Sequence, residues 1–256
     1  MRLITIPMSH YCEKARWALV YAGVDYVEEA HLQVFHYPAV RPYSSRGMVP
    51  VLLTPAGAIP DSTSILHFLD SRLAEPHKLY PENQRKEIEA LEEHYDEILG
   101  VETRRWVYYH WMKLPARTVL KTAAQGMPAW ERFVAPMLFP MLRHFLDRRL
   151  AISPSNVEEG LRIIASVFDG VAVRLSDGRP FLCGTRFSAA DLGFACMAAP
   201  VLLPPEYGIL LPALDDSPAG AREDIRRFRA HPAGQFALRL FREQRRKPAD
   251  APFGGP

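Results

Sequence analysis

Cysteine is scarce and scattered: the 256 residues hold only Cys12, Cys183 and Cys196, with no close pair such as C-x-x-C. That argues against a disulfide framework and a cysteine-built zinc site, and points to a reducing compartment, the cytoplasm. No apolar run is long enough to span a bilayer. The longest uncharged apolar stretch, 192–205, is broken by Pro200, Pro204 and Pro205. Residues 1–6 form a strand-like run cut by Pro7, without the long apolar centre of a secretory signal. Charge of one sign is not in excess: 31 lysines and arginines face 29 aspartates and glutamates, net +2, which gives no general reason to expect a nucleic-acid partner. There is no H-E-x-x-H, phosphate loop or dinucleotide fingerprint, and no metal is expected.

Proline is plentiful, at 23 residues, and the charge is unevenly placed. Residues 222–247 carry nine basic and three acidic side chains. Arg239, Arg242, Arg245 and Arg246 are read as the cationic end of a helix, complementing its dipole and facing water.

The first eighty residues change period several times. Residues 3–6 read as a strand, and 12–22 as a helix that Gly23 ends in a left-handed cap. Strands follow at 26–32, 49–53 and 58–59, the last two joined by the turn Pro55-Ala56-Gly57, and then a helix over 62–73. The order is β-α-β, an irregular stretch, and β-β-α, with the strands flanking the first helix parallel and the turn-linked pair antiparallel. Beyond a proline linker at 76–81 the strand signals stop. Helices are expected over 82–111, 130–150 (kinked or delayed by Pro136 and Pro140), 156–175 and 189–199. A final helical segment over 221–246 is split at His231-Pro232. The stretch 114–127 reads as a long connection, 204–218 as a proline-rich loop and 247–256 as a flexible tail.

Three sites carry chemistry. Ser9-His10-Tyr11-Cys12 follows a strand and opens a helix, so the free N–H groups of the first turn point into the loop; Ser9 and Cys12 have the spacing of a dithiol redox centre with serine first. Val49-Pro50 begins a strand, where a cis bond would leave the Val49 backbone open to an extended peptide. Asp61-Ser62 starts a second helix, with a carboxylate and hydroxyls suited to an α-amino acid group. Ser9, Asp61 and Ser62 would equally serve as ordinary helix caps.

In this order the three sites resemble the thioredoxin-like half of the cytosolic glutathione transferase superfamily. Phe187-Ser188-Ala189-Ala190-Asp191-Leu192 is similar to that family's capping box and hydrophobic staple, built as Ser188 and Asp191 bond reciprocally. The resemblance implies an α/β thioredoxin-like domain with a mixed four-stranded sheet over 1–76, followed by an all-α domain over 82–246. It also implies a homodimer, with the small domain of one subunit on the helical domain of the other. By that resemblance glutathione lies with its cysteinyl backbone on Val49 and Pro50, its γ-glutamyl end at Asp61 and Ser62, and its thiol near Ser9. Arg46 stands where the family often has lysine, as a contact to a glutathione carboxylate. A small electrophile would sit between the halves, with Tyr11, Tyr95, Trp106 and His110 as candidate wall residues.

The energetics suit a serine. A thiol of pKa about 8.5 is about 3% thiolate at pH 7, and lowering that pKa by two units takes about 2.7 kcal/mol. One hydrogen bond to a charged group contributes about 1.5–3 kcal/mol and a helix N-terminus about 0.3–1. Three functions are therefore expected of such a sequence. The leading one is a transferase in which Ser9 holds the thiolate. The others are a glutathione-linked thiol–disulfide oxidoreductase using Cys12 and a non-catalytic binding protein on the same fold.

Overall fold

The computed structural model describes residues 1–245; the expected tail at 247–256 lies outside them, as does Arg246. β1 (Arg2–Thr5) is an inner strand of the four-stranded sheet, whose order is β2-β1-β3-β4. It pairs in parallel with β2 (Val27–Ala30) and antiparallel with β3 (Val51–Thr54), which pairs antiparallel with β4 (Gly57–Pro60). Alternation along the strands sorts the two faces. Leu3 and Leu52 pack under α1 (His10–Tyr21) and α3 (Ser62–Asp70), while Ile4 and Val51 meet Val40 of α2 (Tyr37–Val40). The short α2 occupies the stretch that read as irregular. Gly23 takes φ 70° after α1, the left-handed cap its position called for.

The helical part is built around α9 (Ala189–Leu202), which is apolar on all sides and buried from Ala189 through Ala199. Its start is the expected capping box: the Ser188 N–H and hydroxyl both donate to Asp191, and the other Asp191 oxygen accepts from the Leu182 N–H at 2.8 Å. Around α9 lie α1 and three elements of the C-terminal part: α5 (Gly100–Trp111), α10 (Ala219–Ala230) and α11 (Pro232–Gln244), the last two divided at His231 as read. No helix among the described residues is long and apolar enough to cross a membrane.

Four sequence readings are corrected. The expected single helix over 82–111 is a 3₁₀ turn, then α4 (Arg85–His94), a π turn (Tyr95–Leu99) and α5. At Gly100, where the π turn ends, a Cβ would stand 2.6 Å from both Met197 Sδ and Tyr11 Oη, so only glycine lets three elements meet there. The connection over 114–127 contains α6 (Ala116–Ala123), which buries Val119 and Leu120 against α7 (Ala129–Arg149). α7 starts at Ala129, with no delay, and stays helical through Pro136 and Pro140, both on its exposed side. Arg245 does not face water: its Nε lies 2.7 Å from the fully buried Glu13 carboxylate.

β2 is tied to α7 by a histidine. His31 Nδ1 lies 2.5 Å from Glu131 Oε1, its Nε2 lies 3.1 Å from Glu29 Oε1, and the Leu32 N–H donates to Glu131 Oε2. Burial pulls the His31 pKa down, but the two carboxylates outweigh it and raise it above 6.5. A histidine shifted this way contributes fully below pH 6.5 and loses its contribution as pH rises through the folded value. Hydrogen exchange, corrected for intrinsic rates, is thus expected to show α7 less protected at pH 9 than at pH 6 in the wild type, with the difference absent in His31→Gln. Equal loss in both proteins would remove His31 as the cause.

Candidate active site

The strand register brings the three sequence sites together. Because β3 runs antiparallel to β1, the start of β3 lies beside the end of β1, and β4 ends there too, with Pro60 opposite Val51. Ser9, Val49-Pro50 and Asp61-Ser62 therefore share one end of the sheet, and the Asp61 N–H donates to the Pro50 carbonyl at 3.0 Å.

Ser9 is the N-cap of α1, half-buried, its Oγ accepting from the Cys12 N–H at 3.3 Å. That bond uses a lone pair; the Ser9 hydroxyl also interacts with the Cys12 thiol, and its O–H can rotate to donate elsewhere. Cys12 is fully buried, its Sγ facing the Ile6 N–H at 3.4 Å, and burial pushes its thiol pKa up. The neighbours of Ser9 turn toward α5 and the π turn. His10 Nε2 lies 3.0 Å from the Gly100 carbonyl, and burial followed by the Arg104 charge lowers its pKa to about 3, so it is neutral. The Tyr11 hydroxyl donates to the Asp96 carbonyl at 2.7 Å, with its pKa raised to about 12, chiefly by burial. Neither is a base for a thiol at neutral pH.

The Val49–Pro50 bond is cis, and neither the N–H nor the C=O of Val49 has a partner among the described residues. Asp61 is exposed and caps α3, accepting from the Ser64 N–H at 2.8 Å and the Ser64 hydroxyl at 2.9 Å. Its φ of 61° is one an ordinary residue adopts only at a cost of about 1–3 kcal/mol, as ligand clamps often do. Ser62 is buried beside it, and Arg46 is exposed on the loop before Gly47.

The expected wall residues divide. Tyr11 follows Ser9 at the start of α1, its hydroxyl engaged by the Asp96 carbonyl. Tyr95 is buried against Phe194 and borders a separate groove between α4 and α8 (Pro154–Arg174). The Trp106 indole donates to Asp224 of α10 at 2.9 Å, and His110 packs on Trp106, burial lowering its pKa to about 4. The structure turns these two toward α10, because they lie about 200° (Trp106) and about 240° (His110) around α5 from Arg104, on the face that meets Tyr11. That face carries Arg104, which the sequence reading missed. Its guanidinium sits 5.9 Å from the Tyr11 ring centroid, and its Nε is buried without an acceptor. A signal was present: Arg105 has Glu102 three residues back, whereas Arg104 has no acidic residue three or four positions away on either side.

The proline-rich loop is pinned over this end of α1. The Tyr207 hydroxyl donates to the Met8 carbonyl at 3.3 Å, the Gly208 N–H donates to Glu13, and Gln125 exchanges two hydrogen bonds with the Leu210 backbone. It borders an open cavity of about 470 Å³ with Ala30, Gln125 and Gly126.

Residues 3–77 match the family model of the glutathione S-transferase N-terminal domain, and residues 154–231 that of its C-terminal domain, together more than half of the chain in the expected order. The chain belongs to the glutathione S-transferase superfamily. No curated protein sequence matches it. Solved glutathione S-transferases share its fold. That of Ceriporiopsis subvermispora, in complex with glutathione, is 16% identical at TM-score 0.62, covering 97% of this chain and 98% of its own. That of Rhodospirillum rubrum is 19% identical at TM-score 0.58, covering 95% and 98%. The beta-etherase LigF of a Sphingobium strain is 19% identical at TM-score 0.57, covering 93% and 98%. In this glutathione S-transferase superfamily member, the three converging motifs all fall within the N-terminal match.

Proposed function

We propose that this protein is a glutathione transferase in which the Ser9 hydroxyl donates to the glutathione thiolate. The observation that carries the reading is the meeting, at one end of the sheet, of the half-buried Ser9 hydroxyl at a helix N-terminus, the unpaired main chain of Val49 and the Asp61-Ser62 turn. Val49 and Pro50 take the cysteinyl backbone, Asp61 the ammonium and Ser62 the carboxylate of the γ-glutamyl end. Arg46 serves a carboxylate of the same ligand. The thiol proton leaves to solvent. The sulfur then bonds to an electrophilic carbon, and a leaving group departs with its electron pair, or an activated double bond takes up that pair and then a proton. Ser9 and the open N–H groups of α1 hold the anion ready for attack. The burial of Cys12 disfavours thiol–disulfide exchange, which needs an accessible thiolate.

Arg104 supports a second-substrate class. A partly buried cation without a carboxylate favours an electrophile that carries an anionic group. Calorimetric titration tests both statements. Glutathione is expected to bind at or below millimolar concentration, and a carboxylate-bearing S-conjugate is expected to bind more tightly than its neutral amide. No heat with glutathione at several millimolar would remove the transferase reading. Equal affinity for acid and amide would remove the role of Arg104 alone.

A further inference from the structure

The turn that carries Ser9 is held by a side chain from the far half of the chain. The Tyr207 hydroxyl donates at 3.3 Å to the carbonyl of Met8, 199 positions away and the residue just before Ser9. That carbonyl accepts no other hydrogen bond among the described residues. Gly208, next in the loop, donates its N–H at 3.0 Å to Glu13, one helical turn past Ser9. A Cβ at Gly208 would collide with Glu13 Oε2 and stand 2.8 Å from Arg16 Cδ, so the loop main chain lies directly on α1. The proline-rich loop thus grips the start of α1 on either side of Ser9.

The grip at Met8 acts on Ser9 itself. The Met8 carbonyl and the Ser9 N–H are opposite ends of one planar peptide unit. The Ser9 N–H donates to the Ile6 carbonyl at 3.0 Å, and Tyr207 fastens the other end, so the unit that leads into the Ser9 Cα is fixed at both. Packing does not require the hydroxyl. The Tyr207 ring is buried and stacks on Phe241 of α11, which a phenylalanine would do equally well. The O–H makes one hydrogen bond among the described residues, and it goes to this peptide. Precision matters there, because a catalytic group works only within about 0.5 Å of its productive position. A misplacement of about 1 Å can lower a rate about 100-fold.

We propose that Tyr207 is a positioning residue for Ser9: its hydroxyl, acting through the Met8 carbonyl, sets where the Ser9 Oγ meets the glutathione sulfur. The inference rests on the transferase reading of the site. It puts part of the thiolate-holding arrangement outside residues 3–77, the N-terminal family match, in a loop of the C-terminal half.

Tyr207→Phe, folded by circular dichroism, tests this on the full chain in three ways. Without any ligand, the Ser9 and Cys12 amides are expected to exchange hydrogen about three- to tenfold faster than in the wild type, the loss of one hydrogen bond at that turn. With glutathione bound, the thiol pKa, followed by thiolate absorbance, is expected to rise by about half a unit to one unit, while the dissociation constant of glutathione stays within about twofold. In conjugation, the substitution is expected to lower kcat about three- to tenfold when Ser9 is present and less than twofold in the Ser9→Ala background. A side chain that only fastened the loop would act equally in both backgrounds. Unchanged exchange at Ser9 and Cys12 overturns the proposal whatever the activity. An equal loss of rate with and without Ser9 overturns it alone, leaving the transferase reading in place. A wild type that takes up no glutathione at several millimolar overturns the transferase reading and this inference with it.

Discussion

Ser9→Ala is expected to lower kcat/KM for glutathione conjugation by about 10- to 100-fold, the loss of one hydrogen bond to a charged acceptor of about 1.5–3 kcal/mol. The reason is visible in the pH profile. Without the hydroxyl the bound thiol returns toward its ordinary pKa of about 8.5, so at saturating glutathione the rising limb of kcat/KM for the electrophile against pH moves up by about one to two units. A fall in rate with no movement of that limb would assign Ser9 to capping α1 rather than to the thiolate. Cys12→Ala is the companion measurement. Its sulfur is enclosed and bonded to the Ile6 N–H, so the substitution is expected to lower thermal stability slightly and to leave kcat/KM within about threefold. Conjugation that collapses in Cys12→Ala and persists in Ser9→Ala would reverse the assignment.

Lys14→Met is expected to be the most destabilising single change, by about 3–5 kcal/mol, out of a total that for most domains is about 5–15. The Lys14 side chain is 0% exposed and its ammonium sits 2.6 Å from both Glu92 Oε1 and Asp96 Oδ2, while Thr63 bonds all three groups and Tyr80 donates to Glu92. Removing the ammonium leaves two enclosed carboxylates facing each other. Burial already raises the Asp96 pKa, and Lys14 is its main opposing influence. A carboxyl whose folded pKa stands above its unfolded value costs stability at high pH and returns it as pH falls through the folded value. The deficit of Lys14→Met in urea unfolding is therefore expected to be smaller at pH 5 than at pH 8, and Glu92→Gln in the same background is expected to recover part of it. A deficit that is constant with pH would point to lost packing of the lysine stem.

These two predictions mark what could be read from the chain. Ser9, Val49 and Asp61 were legible because each is a local signal, a cap or a strand start, and the order of strands and turns brings them together. The capping box at Ser188 and the break at His231 were legible for the same reason. The charged residues of α1 were not. Glu13, Lys14 and Arg16 look like a solvated face, and they are buried because the π turn, α9 and α11 close over them from far along the chain. Trp106 and His110 were chosen by helical position without knowing which side of α5 faces α1. The π turn ends at Gly100, whose close neighbours Tyr11 and Met197 are distant in sequence. α6 was passed over because prolines and glycine flank a helix of two turns.

The meeting of the first helix with the last has a consequence for how the chain is made. The Trp17 indole donates to the Gln244 carbonyl at 3.0 Å, and Glu13 pairs with Arg245. The half of the molecule that emerges first from the ribosome thus carries an unsatisfied Trp17 indole, and a Glu13 carboxylate paired within that half only with Arg16, until the chain has grown 227 residues beyond Trp17. At about 5–20 residues per second, that interval is at least roughly ten seconds, during which the first helix of the thioredoxin-like half is not yet finished.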